Sequence, residues 1–202
     1  MSEIHVDEQH MLRLMGYREQ TMDDRLRARM ENAIAQVERA AKPRWVKRSL
    51  SLEHRQIGGE ANERVRLMEA NLSLPGLDIE RHLAGATHCV LMAVTIGYEV
   101  DRLITRLQAI DLSDALIADA AASTLVEQAC DRCQQSIQQE QGARGFRINA
   151  RYSPGYGDLP LSVQQSLTTH LDTARLIGLY CNQSDVLLPR KSVTAIVGVF
   201  PM

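Results

Sequence analysis

The stretch His88-Cys89-Val90-Leu91-Met92-Ala93-Val94-Thr95-Ile96 limits the folds open to this chain more than any other. It is apolar at almost every consecutive position and partly β-branched, so neither side of it suits water. A short run of that kind, closed here by Gly97, predicts a central strand buried on both faces.

Around this run the spacing switches between helical and extended. Met11, Leu12, Leu14 and Met15 predict a short helical turn ending near Gly16. Thr21-Met22-Asp23-Asp24 reads as a capping box with acids in the first turn. Leu26, Met30, Ala33, Ile34, Val37 and Ala41 follow at helical spacing, with Arg39 and Lys42 at the far end and Pro43 as the stop. From Trp45 to Leu52 the period becomes two, which predicts a strand with one wet face. His54 to Glu63, with Gly58-Gly59, predicts a loop; Val65 to Leu74 predicts a second strand, ended by Pro75-Gly76. Asp78 is the expected cap of a short helix carrying Ile79 and Leu83.

Beyond Gly97, Val100, Leu103, Ile104 and Leu107 mark a helix with Arg102 and Arg106 outward. Asp111 and Asp114 open a long helix to about Gln141, Ala-rich at first and Gln-rich and exposed later, ended by Gly142 and Gly145. Phe146 to Tyr152 predicts a short strand, and Ser162 with Gln165 a capping box for a helix bearing Val163, Leu167 and Leu171. Val186–Leu188 and Ser192–Phe200 predict two strands around a turn at Pro189-Arg190-Lys191. Helices and strands mix without βαβ alternation. The expected fold is therefore α+β: a central twisted antiparallel or mixed sheet flanked by long helices. No linker or repeat divides the chain, so one domain is expected over residues 1–202, with 1–42 a helical segment packed on it.

Chemistry is constrained mainly by exclusion. Net charge is −2 and the basic residues are dispersed, which argues against a nucleic-acid partner. No apolar run approaches the ~18 residues of a membrane span. With no leader-like N-terminus and no cysteine framework, a cytoplasmic protein is expected. Cys130 and Cys133 form a C-x-x-C, but inside a predicted helix, where they fit its buried side. The six histidines show no ligand spacing, so no metal site is expected. No P-loop, G-x-G-x-x-G or G-x-S-x-G occurs, and no residue is assigned a catalytic role.

One loop remains. Arg151-Tyr152-Ser153-Pro154-Gly155-Tyr156-Gly157-Asp158-Leu159-Pro160 sets two prolines and two glycines among a guanidinium, two phenols and a carboxylate. Such a segment is stiff, and it holds polar groups in fixed places. Arg151 is a permanently charged fork suited to a carboxylate. From the residues alone, a rigid turn joining a strand to a helix is the more economical reading.

The pattern Arg151-x-x-Pro154-Gly155-Tyr156-x-x-x-Pro160 also resembles the R-x-x-P-G-Y-x-x-x-P signature of the activation domain of vitamin B12-dependent methionine synthase. Leu187 to Gly198, a proline turn followed by Ser192-Val193-Thr194, resembles that family's second segment. The likeness covers about residues 85–200. It implies an S-adenosylmethionine-binding reactivation subunit that supports reductive remethylation of cobalamin in a methionine synthase or related corrinoid methyltransferase. Such a chain is a component of a methyltransferase system, not a complete enzyme.

By the same resemblance Arg151 pairs with the methionine carboxylate, backbone at Ser153 and Gly155 meets adenine or ribose, and Tyr156 covers the ligand beside Pro154. The implied partners are a corrinoid-binding methyltransferase subunit and a flavodoxin-like electron donor. Cobalamin would sit on the partner, since no D-x-H-x-x-G occurs here. Departures are visible too. Ile196-Val197 stand where the family carries an aromatic pair, Gly157-Asp158-Leu159 differ, and the family's N-terminal acidic contact has no match. These favour the alternative of a non-catalytic interaction protein that keeps the fold without the ligand.

Overall fold

The computed structural model describes residues 4–17, 22–54 and 65–202. In chain order the elements begin with α1 (Glu8–Leu14), α2 (Asp24–Ala40), β1 (Arg44–His54), β2 (Val65–Leu67), β3 (Leu72–Leu74), α3 (Leu77–Leu83) and β4 (His88–Thr95). There follow α4 (Tyr98–Gln108), α5 (Leu112–Gly142), β5 (Phe146–Ile148), α6 (Val163–His170), α7 (Thr173–Ile177), β6 (Tyr180–Cys181), β7 (Leu187–Leu188) and β8 (Ser192–Pro201).

The fold is α+β. Six strands form an antiparallel sheet in the order β3-β2-β1-β4-β8-β5, and β6 and β7 form a separate two-stranded ribbon. The apolar run is central, with β1 on one side and β8 on the other. Its side chains alternate between two cores. Val90, Met92 and Val94 pack under α1, α2, α4 and α5; Cys89, Leu91 and Ala93 pack under α3, α6 and α7. A strand covered twice has no position for a polar residue, which is why the run reads as continuous.

The long helix α5 is capped by Asp111, whose carboxylate accepts from the N–H groups of Ser113 and Asp114. Its small residues Ala115, Ala118, Ala121, Ala122 and Ala129 are buried, so it lies close to the sheet. Cys130, Cys133 and Ile137 extend that buried face into the Gln-rich half, where Gln135, Gln138 and Gln139 are exposed. Burial pushes both thiols up to about 12, so neither forms thiolate at neutral pH. Titration of the folded protein with a thiol-reactive disulfide at neutral pH should modify the half-buried Cys181 first, and Cys89, Cys130 and Cys133 only on unfolding.

Several local expectations are corrected. Asp23 caps α2, accepting from the Leu26 N–H; Thr21 lies outside the described residues, and of the loop expected from His54 to Glu63, His54 ends β1 while the rest lies outside them. Residues 65–74 are two short strands, not one, because Asn71 adopts φ +45° and folds them into a hairpin. Ser162 makes no side-chain cap at α6, since its backbone is already helical. Phe146–Tyr152 is interrupted after Ile148. Residues 187–188 pair with β6 and not with β8, so Pro189-Arg190-Lys191 joins two different sheets.

Candidate functional site

Where the expected strand breaks, its register slips. Ile148 faces Val199 and Tyr152 faces Ile196, so four steps on one strand match three on the other. This is a bulge. Asn149 fills the gap: its Oδ1 accepts from the Gly198 N–H at 2.7 Å and its Nδ2 donates to the His82 carbonyl at 2.8 Å. Beyond it the chain re-joins β8 through two bonds of 2.9 Å between Tyr152 and Ile196. Alternation then sends neighbouring side chains to opposite faces of the sheet edge. Arg151 turns to α5, while Tyr152 packs into the core under α3.

Arg151 is 20% exposed and sits among three polar groups of α5. Its guanidinium lies 3.0 Å from Glu127 and 2.7 Å from Asp131, and donates to the Gln134 Oε1 at 3.1 Å. These residues stand at helical spacing on one face of α5. Burial opposes the charge on Arg151, but the Asp131 hydrogen bond and the neighbouring negative charges hold its pKa above the ordinary value. Glu127, Asp131 and Gln134 are the functional candidates that the sequence did not disclose; their signal was an i, i+4, i+7 stripe of polar groups on a helix otherwise packed with Ala and Cys.

The loop after Arg151 is braced from within. Gly155 N–H donates to Leu159 O at 2.9 Å, Tyr156 N–H to Ser153 O at 3.1 Å, and the Tyr152 hydroxyl to Tyr156 O at 3.1 Å. The Gly155 N–H is therefore used inside the loop. Among the described residues Ser153 and Gly157 show no bond from their own N–H groups. Gly157 has φ +51°, and a Cβ there would meet the Tyr152 hydroxyl and the Asp78 carboxylate at 2.5 Å. Tyr156 is 61% exposed and stands edge-on to Tyr152, with ring centroids 6.1 Å apart. The His82 ring lies tilted against Tyr152, with centroids 4.9 Å apart, and burial lowers its pKa. Pro154 is buried, as a pivot should be.

Asp158 fastens the loop to the body. Its carboxylate accepts from the Leu77 N–H at 2.6 Å and the Asp78 N–H at 3.1 Å, so it, and not Asp78, caps α3. Those bonds, the Leu77 one first, hold its pKa below the ordinary value. A carboxylate with a depressed folded pKa stabilises above its unfolded pKa and loses that contribution as pH falls through the folded one. Asp158→Ala should therefore lower the melting midpoint at neutral pH, and the gap from wild type should close below about pH 4.

Ile196 and Val197 are fully buried, one toward each core, so neither faces a ligand. Among the described residues no group of three or more His, Cys, Asp or Glu is placed to hold a metal ion, and no helix is long and apolar enough to cross a membrane.

No protein-family model matches the sequence, and no curated protein matches it either. Among solved structures, one described as the MetH reactivation domain bound to AdoHcy superposes with a TM-score of 0.61, over 88% of this chain. The fold is that of the MetH reactivation domain. Identity across the match is 18%, and this chain spans 65% of the length of that one. The six-stranded antiparallel sheet with its flanking helices is thus the reactivation-domain fold expected from the loop motif.

Proposed function

We propose that this protein binds S-adenosylmethionine along the sheet edge at Arg151–Tyr156 and serves as a reactivation subunit for a cobalamin-dependent methionine synthase or related corrinoid methyltransferase. The observation that carries this reading is the amphoteric cluster Arg151–Glu127–Asp131, at the root of a loop that farther on carries the exposed phenol Tyr156. The amino-acid end of S-adenosylmethionine is a zwitterion. Its carboxylate can replace a carboxylate on the Arg151 fork, and its ammonium can take the Glu127 or Asp131 that is released. The exchange conserves ion pairs, so occupation by α5 is compatible with binding. The Ser153 and Gly157 N–H groups and the Tyr156 ring lie farther along the same loop, suited to the nucleoside. The solved structure with this fold holds AdoHcy, the product of methyl donation.

Transfer of a methyl group from a sulfonium requires little acid–base help, so positioning suffices. With one electron supplied to cob(II)alamin on the partner chain, transfer yields methylcobalamin and S-adenosylhomocysteine. This chain's part is to hold the sulfonium at the loop and to dock. The flavodoxin-like donor and the corrinoid subunit are the partners this role requires, and one domain over residues 1–202 carries it.

A second reading rests on a specific observation: Arg151 already has two internal carboxylate partners. In that reading the fold is kept as an interaction module without ligand. One assay separates them. Methionine synthase lacking its own reactivation domain, inactivated in the cob(II) state, is supplied with reductant, S-adenosylmethionine and this protein. Recovery of the methylcobalamin spectrum supports the reactivation role. Association with the corrinoid protein without spectral recovery supports the interaction module.

A further inference from the structure

A concave surface away from the Arg151–Pro160 loop carries an unbalanced charge. The end of α2 and one side of α4 enclose a cleft of about 600 Å³, which shares no lining residue with the Arg151–Pro160 loop. Arg39 and Lys42 enter it from α2 and the segment after it; Arg102 and Arg106 enter from α4. Glu99 is the one carboxylate in its lining, and it bonds Arg102 at 3.2 Å. Among the described residues Arg39, Lys42 and Arg106 have no ion-pair partner.

An anion seated there would relieve the repulsion among these cations. Arg102 and Arg106 are four residues apart on one helix, where like charges repel. Arg39 and Lys42 add to the same field. Some basic side chains elsewhere meet acids, as Lys47 meets Glu140, Lys191 Asp119, and Arg29 Asp111 and Asp114, and others, such as Arg13 and Arg144, stand singly among the described residues; the cleft differs in gathering four cations around one hollow. All four line the cleft and are exposed, so an anion can reach them from solvent. Its volume falls within the roughly 300–1,000 Å³ of small-molecule sites. Guanidinium forks match phosphoryl oxygens in pairs, and Leu103 and Ala40 supply apolar floor beside them.

We infer that the α2–α4 cleft binds a small molecule bearing two or more phosphoryl groups. The concave shape favours such a ligand over an acidic protein surface, which would need a broader and flatter face. This inference is independent of the S-adenosylmethionine site.

Calorimetric titration with inorganic tripolyphosphate tests it. Saturable one-to-one binding is expected, weakened by added salt. The double variant Arg39→Gln/Arg106→Gln should lose roughly tenfold or more in affinity, as expected for removal of charge-assisted bonds. The control Arg13→Gln/Arg144→Gln, which removes two exposed cations outside the cleft, should match wild type. Melting midpoints of both doubles show whether they fold, and an Arg39→Lys/Arg106→Lys protein, which keeps the charge, should retain part of the affinity. No saturation, or equal losses in cleft and control doubles, would overturn the inference. Binding of polyglutamate that tripolyphosphate fails to displace would overturn it in favour of a protein partner. Unchanged S-adenosylmethionine affinity in the cleft double keeps the two sites distinguishable.

Discussion

Arg151→Ala is expected to weaken S-adenosylmethionine binding by about 1.5–3 kcal/mol, or roughly 10- to 150-fold, the range for hydrogen bonds to charged groups. The same substitution should change stability much less. Glu127 and Asp131, which lose their counter-ion, are 44% and 52% exposed, so water screens them. An exposed pair contributes about 0–1 kcal/mol. Binding and unfolding therefore separate: calorimetry should record a large loss of affinity, and denaturant titration only a small shift. Arg151→Lys keeps the charge but not the fork, and should fall between. A large loss of stability with unaltered affinity would mean that Arg151 serves only to tie the bulge to α5.

Leu91→Ala should cost about 2–5 kcal/mol of folding stability, the range for deleting a fully buried leucine. Leu91 is fully buried on the central strand, between Arg48 of β1 and Ile196 of β8, and its side chain enters the core shared with Leu83, Leu167 and Leu171. That core supports α3, the helix to which Asp158 fastens the loop. A cavity there lowers stability and loosens the loop together. By contrast Leu116→Ala, on the solvent face of α5 with 64% exposure, should stay within about 0.5 kcal/mol. Chemical denaturation of the two variants, with the slope held common, checks both values.

What could be read in advance follows from how local each determinant is. The doubly buried strand β4, the cap at Asp111 and the helical stripes of α2 and α4 are written in adjacent residues, so pattern alone placed them. The reactivation-domain fold came from the Arg151–Pro160 motif, which holds its shape through its own glycines and prolines. Determinants that act across the chain were not legible. The Asp158 cap joins residues eighty positions apart, and the partners of Arg151 lie on a helix whose outward polar stripe resembles any solvated face. The bulge at Asn149 depends on a side-chain oxygen, not a backbone carbonyl, taking the Gly198 N–H, which no spacing rule announces. Leu187-Leu188 looked like half of a hairpin with β8 because the turn between them is obvious; its true partner, β6, is a two-residue strand below the length at which alternation can be recognised.

The central claim is that a bulge and a braced Pro-Gly loop present an arginine, two acids and a phenol to one zwitterionic methyl donor. Titration of the wild-type protein with S-adenosylmethionine in a calorimeter tests this most directly. One-to-one binding that Arg151→Ala weakens roughly tenfold or more is the predicted result. Absence of heat and of any thermal-shift response, at ligand concentrations far above those that saturate ordinary cofactor sites and with a corrinoid partner present, would contradict it.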